Sequence, residues 1–429
     1  MRPRNFASVV CALVGLLASA PARADRAPLP DAETGPAPKI VLITMGKGDV
    51  VWQKFGHGAI CVEYPQQTRK RSLCYNYGTT DFTRPVSVGW GFLRGEGKFW
   101  VSVTTPERMI RRYREEFDRT LWGQTIPLSD EKARALATRL QINALPENRN
   151  YIYHHFYDNC TTRIRDLLDE ATDGKLRAGS EGKPGPTFRE YARQGFSQDE
   201  WLLVATDFFL GHGADIQPDL WQAMFLPEYL MQVVEDQLGA KPEVIYQRRG
   251  PPLTDGDSSG RFWVVLVAFL MALPLLFARW RGRFEKPALY FAGIVLFLAG
   301  FAVWFLAIVT AVNEFRYNEN LLILLPTDLA LLFLGPARRM AYARIRIAMV
   351  ALASLLLVVG VFTQPLWAQW TLVLLPMVVI AVPSFGASDP RVGSTGESDD
   401  SSADGQKSGS KPSGKSRSGP SKKKKKQRK

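Results

Sequence analysis

Histidine and cysteine are scarce in this chain: its 429 residues hold four of each. Neither type recurs at a paired-ligand spacing such as Cys-x2-Cys or His-x3-His, so the pattern gives a metal site no support. So few cysteines exclude a disulfide-dense miniprotein, and the overall composition excludes collagen-like and wholly disordered chains. Internal repeats are not evident. Basic charge is missing where a nucleic-acid surface would need it. The net charge is +13, yet residues 25–260 hold 29 basic against 32 acidic side chains. The excess sits in residues 1–24 (+3), 261–383 (+6) and 384–429 (+7). Charge that flanks apolar runs speaks of membrane placement, and no nucleic-acid partner is expected.

What is present begins with a secretory signal. Arg2 and Arg4 precede an apolar stretch from Phe6 to Leu17, followed by Ala22-Arg23-Ala24, a small-x-small cleavage site. Residues 1–24 read as a signal peptide cut after Ala24, with an uncleaved anchor as the alternative. Cys11 lies inside it, and no lipobox precedes a cysteine, so the mature chain is not expected to be a lipoprotein.

Five apolar stretches follow the large block, Phe262–Ala278, Ala288–Val312, Leu321–Ala337, Ile347–Thr363 and Leu366–Pro383. Each is near the ~20 residues that a helix needs to cross a bilayer. Arg279, Arg281, Arg283 and Lys286 follow the first, and Arg338, Arg339, Arg344 and Arg346 follow the third. Positive-inside bias puts both clusters in the cytoplasm and the 313–319 loop outside, as secretion of the large block also requires. The expected organisation is an extracytoplasmic domain over 25–255 and a membrane domain of about five helices over 262–383. A disordered, lysine-ended cytoplasmic tail covers 384–429. The localisation expected is the bacterial inner membrane, with the large block in the periplasm. Asp328, within the third span, is a functional candidate by its depth, or a partner for neighbouring helices.

The extracytoplasmic block mixes periods. Lys39–Thr44 reads as a buried strand, with further strands over Gly58–Glu63 and Ser72–Tyr77. Thr105-Pro106-Glu107 starts a helix whose inward face carries Met109, Ile110, Tyr113 and Phe117. Ser129-Asp130-Glu131 starts another through Leu140, and Asp158-Asn159 a third. Pro218–Leu238 reads as helical with a break or second start at Pro227. The class is α+β.

Three cysteines survive signal cleavage. Cys61 and Cys74 lie on expected neighbouring strands, and pairing them leaves Cys160 free; buried unpaired thiols are the alternative. Cys160 stands where a loop becomes a helix, with Thr161, Thr162 and Arg163 behind it. Backbone N–H groups there, with Arg163 near, favour a thiolate and could hold an oxyanion. The thiol needs a base, and His57, set between Gly56 and Gly58 at a strand start, is one candidate. His154 and His155 are close in sequence to Cys160, and His212 lies in a loop.

Several of these segments together carry a family resemblance. They are Phe55-Gly56-His57, Tyr75-Asn76-Tyr77-Gly78 with Asp81-Phe82, Pro146-Glu147-Asn148-Arg149, and Asp158-Asn159-Cys160-Thr161-Thr162-Arg163-Ile164-Arg165-Asp166. Trp221 with Met224-Phe225-Leu226-Pro227, and Asn318-Glu319-Asn320-Leu321-Leu322 with Pro326, extend the likeness over about 39–335. The chain resembles the Lnb family, associated with N-acylation of bacterial lipoproteins. The resemblance implies a circularly permuted papain-like fold of the NlpC type, in which His precedes Cys. It implies His57 as general base and Cys160 as nucleophile, with Asn76 or a neighbouring tyrosine to orient the imidazole. The family often carries a His at the start of the outer membrane loop, where this chain reads Asn313-Glu314-Phe315-Arg316-Tyr317.

The function expected is a thiol acyltransferase that takes an acyl chain from a phospholipid and gives it to a lipoprotein N-terminus. It needs no cofactor and no metal, because the donor ester already supplies the activated acyl group. A cysteine peptidase or amidase acting on cell-wall peptides is the rival, and a non-catalytic membrane scaffold is the third reading. Multiple spans favour a donor presented from the bilayer.

Overall fold

Lys39–Met45 (β1) is apolar on both faces, so it must be covered on both, and it becomes a central strand. The computed structural model describes residues 36–66, 70–81, 83–182, 185–253 and 259–383. The expected signal (1–24) and tail (384–429) lie outside the described residues. His57–Glu63 (β2) and Leu73–Thr79 (β3) follow β1, then helix Pro85–Leu93 (α1), Lys98–Thr104 (β4), Pro106–Glu115 (α2) and Leu121–Ile126 (β5). Asp130–Asn143 (α3), Asn150–Ile152 (β6), Cys160–Ala171 (α4), Phe188–Gly195 (α5), Glu200–Phe209 (α6), Pro227–Leu238 (α7) and Glu243–Tyr246 (β7) complete the sheet domain. The seven strands pair antiparallel in the order β6-β4-β3-β2-β1-β5-β7.

Alternation along β1 and β2 sorts their side chains between two cores. Ile40, Leu42, Ile60 and Val62 face a core closed by α3, α4 and α7, including Leu140, Ile164, Leu168 and Val234. Val41, Ile43, Ala59 and Cys61 face the other side, where Met109 of α2 packs. Local rules set the helix starts. Thr105 caps α2 by accepting from Arg108 N at 3.4 Å, with Pro106 at the first helical position. Ser129 accepts from Lys132 N at 3.3 Å to start α3. The expected Pro218–Leu238 helix is a turn over Leu220–Ala223 and then α7, which begins at Pro227.

The membrane part differs from the five-span expectation. Arg261–Arg281 (α8), Glu285–Val309 (α9) and Pro336–Val358 (α10) are long and apolar enough to cross a bilayer, and Trp367–Ala381 (α11) is a shorter apolar helix. The expected third span, Leu321–Ala337, is not one helix. A single turn, Asn320–Ile323, is followed by a 3-10 segment, Pro326–Leu332, which lies along α9. Pro326 and Pro336 lack the N–H that a continuous helix needs. Gly293 and Gly300 of α9 admit the irregular chain: a Cβ at Gly300 would come 2.5 Å from the Leu325 carbonyl carbon. Side chains take the carbonyls that the broken helix frees, Trp304 bonding to Leu324 O (3.0 Å), Arg339 to Leu331 O (3.0 Å) and Arg346 to Ile323 O. The helix expected from Ile347 starts at Pro336 instead, so Arg338, Arg339, Arg344 and Arg346 lie within α10.

Candidate active site

Cys160 is the first residue of α4, and the loop before it is held by one side chain. The Asn159 amide oxygen accepts from Thr161 N (2.8 Å) and Thr162 N (2.9 Å), and Thr162 Oγ1 accepts from Asn159 N at 2.8 Å. The other end of the Asn159 amide donates to the carbonyls of His155 and Phe225, both at 2.8 Å. The helix start is therefore fixed by a reciprocal cap tied to two distant segments.

This cap corrects the expected anion site at Thr161, Thr162 and Arg163. The first two N–H groups are already spent on Asn159, and both threonines are buried. Arg163 makes a two-pronged pair with Asp158, at 2.6 and 2.8 Å, and its guanidinium lies 3.8 Å from the centre of the Tyr151 ring. Behind that ring the Tyr151 hydroxyl is buried and has no hydrogen-bond partner among the described residues. Gly78 brings strand β3 close: a Cβ there would come 3.3 Å from Cys160 Cβ and 3.8 Å from the Tyr151 hydroxyl. Its φ of +81° is a second reason for glycine.

His57 opens β2 after a turn through Gly56, where φ is +77° and a Cβ would come 2.9 Å from Met45 O. The imidazole and the Cys160 thiol form a pair. Burial pushes the half-buried thiol up, but the charge and hydrogen bond of His57 outweigh it, and the Thr161 hydroxyl and Gly58 N–H add to the effect. The thiol pKa comes down to about 7, so a large thiolate fraction exists at neutral pH.

Tyr113 of α2 packs on His57, its ring stacked at 6.2 Å and 18°. Arg119, buried beneath, donates to Gly46 O (2.7 Å) and Met45 O (3.2 Å) and lies 5.2 Å from the Tyr113 ring centre. Asn76 was the expected orienting residue. It is buried on β3 opposite Ser102 and forms no hydrogen bond with His57. In the sequence Tyr113 stands out only as part of an apolar helix face.

The other histidines go elsewhere. His155 sits among Phe55, Phe156 and Phe225, and burial, with His154 beside it, lowers its pKa to about 4. His154 faces Glu314 at 3.4 Å, and His212 faces Glu319 at 3.0 Å. Both carboxylates belong to the outer membrane loop that lacks a histidine of its own, so the sheet domain supplies imidazoles to it. Cys61 and Cys74, cross-strand neighbours on β2 and β3, are joined as a disulfide. Cys160 is the free thiol among the described residues.

The Lnb N-terminal periplasmic domain model matches residues 34–194, a stretch that contains His57, Tyr113, Tyr151 and Cys160. No curated protein and no solved structure matches the chain. The chain is thus similar to the Lnb family over this N-terminal periplasmic domain, and it carries three further helices long and apolar enough to cross a membrane.

Proposed function

We propose that the protein is an inner-membrane thiol acyltransferase that moves an acyl chain from a phospholipid to the N-terminal amine of a lipoprotein. The observation that carries this reading is the His57–Cys160 pair, whose imidazole brings the thiol to about 7, in a domain bonded to the membrane helices through Arg261 of α8 to Asp207 and Thr310 after α9 to Leu93 O. The fold we infer for that domain is the permuted papain-like one. Its supports are a nucleophile at a helix N-terminus, a base on an adjoining antiparallel strand, and His before Cys in the chain. The tail after residue 383 lies, on this reading, in the cytoplasm.

In the first step the Cys160 thiolate attacks the ester carbonyl carbon. A C–S bond forms, the ester C–O bond breaks, and the departing alkoxide takes the proton held by His57, which yields a lysophospholipid and a thioester. In the second step a neutral amine attacks the thioester. Its N–C bond forms as the C–S bond breaks, and His57 accepts the amine proton. Both steps pass through an oxyanion. With the Thr161 and Thr162 N–H groups spent on Asn159, the buried Tyr151 hydroxyl, which has no partner among the described residues and stands beside Cys160 at Gly78, is a donor for it.

The test is expression in a strain depleted of lipoprotein N-acylation, with lipoprotein N-termini read by mass spectrometry. N-acylated termini with the wild-type chain, and free amines with Cys160→Ala or His57→Ala, are expected. Free amines throughout, despite normal membrane insertion, would overturn the reading.

A further inference from the structure

Helix α1 is a nine-residue apolar helix, PVSVGWGFL, and none of its residues is buried. Val86 is 85% exposed and Trp90 46%. In water such a face would be an unusual cost for so short a helix. Its neighbours say what covers it. The Trp90 ring stacks on Phe305 of α9 at 6.4 Å, and Thr310 Oγ1 donates to Leu93 O at 2.6 Å. Just beyond α1, a Cβ at Gly95 would come 3.4 Å from Ala311 Cβ.

Phe305 is four residues from the outer end of α9, a helix long and apolar enough to span a bilayer. A side chain stacked on it lies at the depth of the outer membrane boundary, where tryptophan is favoured. On α9, Phe301, Phe305 and Ile308 are exposed, and on a spanning helix exposed apolar side chains face lipid. The surface of α1 continues that lipid-facing surface sideways towards the sheet domain.

The same helix leads to the thiol. Phe92, near its C-terminal end, lies 6.4 Å from Tyr153 and 6.1 Å from Phe315 of the outer loop. Tyr153 stacks on Phe99 of β4 at 4.3 Å, and the Cys160 thiolate is among the charges acting on its phenol. At the other end of α1, strand β3 brings Gly78 against Cys160. The strand that precedes the exposed helix therefore reaches the nucleophile, and ring contacts at its C-terminal end lead through Phe92 to Tyr153.

We propose that α1 lies in the outer leaflet of the phospholipid bilayer, and that the aromatic path Trp90, Phe92 and Tyr153 guides a lipid acyl ester to Cys160. The lipid contact stands on the geometry alone; the delivery route rests on the acyl-transfer reading. A charged side chain at Val86 or Trp90 opposes insertion, whereas the same change at exposed Val244, on edge strand β7, leaves it alone.

The full-length protein is reconstituted in vesicles of phosphatidylethanolamine and phosphatidylglycerol, and acylation of the Cys160 peptide is followed by mass spectrometry. A water-soluble p-nitrophenyl ester serves as a donor that needs no bilayer. Val86→Glu and Trp90→Glu are expected to lose at least tenfold in acylation from vesicles while reaction with the soluble ester and the Val244→Glu control stay within twofold. Equal loss with both donors, or no loss from vesicles, overturns the delivery route. In a second arm, Val86→Cys in a Cys160→Ala background carries an NBD fluorophore, and the vesicles carry chain-brominated lipid. Quenching of at least twofold supports lipid contact, and no quenching overturns it. A wild-type chain that takes no acyl group from vesicles overturns the acyl-transfer reading and the route together, while the quenching arm still decides the contact.

Discussion

His57 and Cys160 approach each other from opposite faces of one sheet. His57 continues the side of β2 that carries Ala59 and Cys61, and stacks on Tyr113 of α2. Cys160 opens α4, which packs against Ile60 and Val62 on the other side. They meet at the strand end across Gly58, whose N–H also bonds the thiol. Base and nucleophile are thus fixed by separate cores, and the pair persists only while both are packed.

The thiolate is the reactive form, so Cys160 alkylation by iodoacetamide should rise with pH through a midpoint of about 7. In His57→Ala the lowering partner is gone and burial remains, so the curve moves to higher pH. At pH 7 the rate should fall by roughly tenfold or more, since each pKa unit is a factor of ten in thiolate fraction below the midpoint. A midpoint left in place would show that His57 does not set the acidity.

Removing the Tyr151 hydroxyl separates stability from chemistry. The group is buried without a partner among the described residues, so Tyr151→Phe should change unfolding free energy by at most about 1 kcal/mol, and could raise it. Cys160 alkylation should be unaffected, because it forms no oxyanion. Acyl transfer should slow by about 100-fold, the loss typical of one oxyanion donor. Transfer at the wild-type rate would assign that stabilisation elsewhere.

The parts of this site that the sequence revealed are those fixed over a few residues. Asn159 before Cys160, the glycines around His57, and Thr105-Pro106 ahead of α2 each act within one turn, and each stands where expected. Tyr113 and Tyr151 were out of reach for another reason. One reaches His57 only because α2 folds over the Met109 side of the sheet, and the other sits in a three-residue strand with no periodic pattern. The oxyanion expectation at Thr161–Arg163 failed because the same N–H groups that make a helix start attractive to an anion are the ones a good cap consumes. The Leu321–Ala337 span failed because hydropathy counts apolar residues and does not ask whether Pro326 lets them share one helix.

Asp328 has a structural partner that its depth in the membrane part left undefined. Arg346 Nε and Nη2 reach its two carboxylate oxygens at 2.8 and 3.1 Å, and Tyr342 donates to it at 2.7 Å. Both members are buried, and they pin the broken segment to α10. Truncating either one strands the other charge, so Asp328→Ala or Arg346→Ala should cost about 3–5 kcal/mol, and Asp328→Leu with Arg346→Met considerably less. Thermal unfolding in detergent measures both. A double replacement as damaging as the single ones would mean that the pair does more than hold the segment.

Glu319 joins three parts of the chain on the outer side. Its carboxylate accepts from Thr363 N at 3.0 Å and Gln364 N at 2.9 Å, in the turn between α10 and α11, and faces His212 of the sheet domain. The neighbouring Asn318 and Asn320 amides donate to Phe208 O (2.7 Å) and Asp207 O (3.0 Å) at the end of α6, and Gln364 donates to Leu210 O at 2.6 Å. The three amide donors thus take backbone carbonyls at and just after the last turn of α6, which ties the sheet domain to the outer loop and the α10–α11 turn. Glu319→Ala leaves two N–H groups without their acceptor, at about 1–3 kcal/mol if they stay dry. Hydrogen exchange at Thr363 and Gln364 should then quicken by roughly tenfold or more, because local opening governs it. The His57–Cys160 pair lies in separate cores, so its alkylation midpoint should not move. Acylation from vesicles should fall, because the thiol keeps its acidity but loses its fixed height above the lipid. Unchanged exchange at the turn, with transfer intact, would show that the domain is held by its apolar contacts alone.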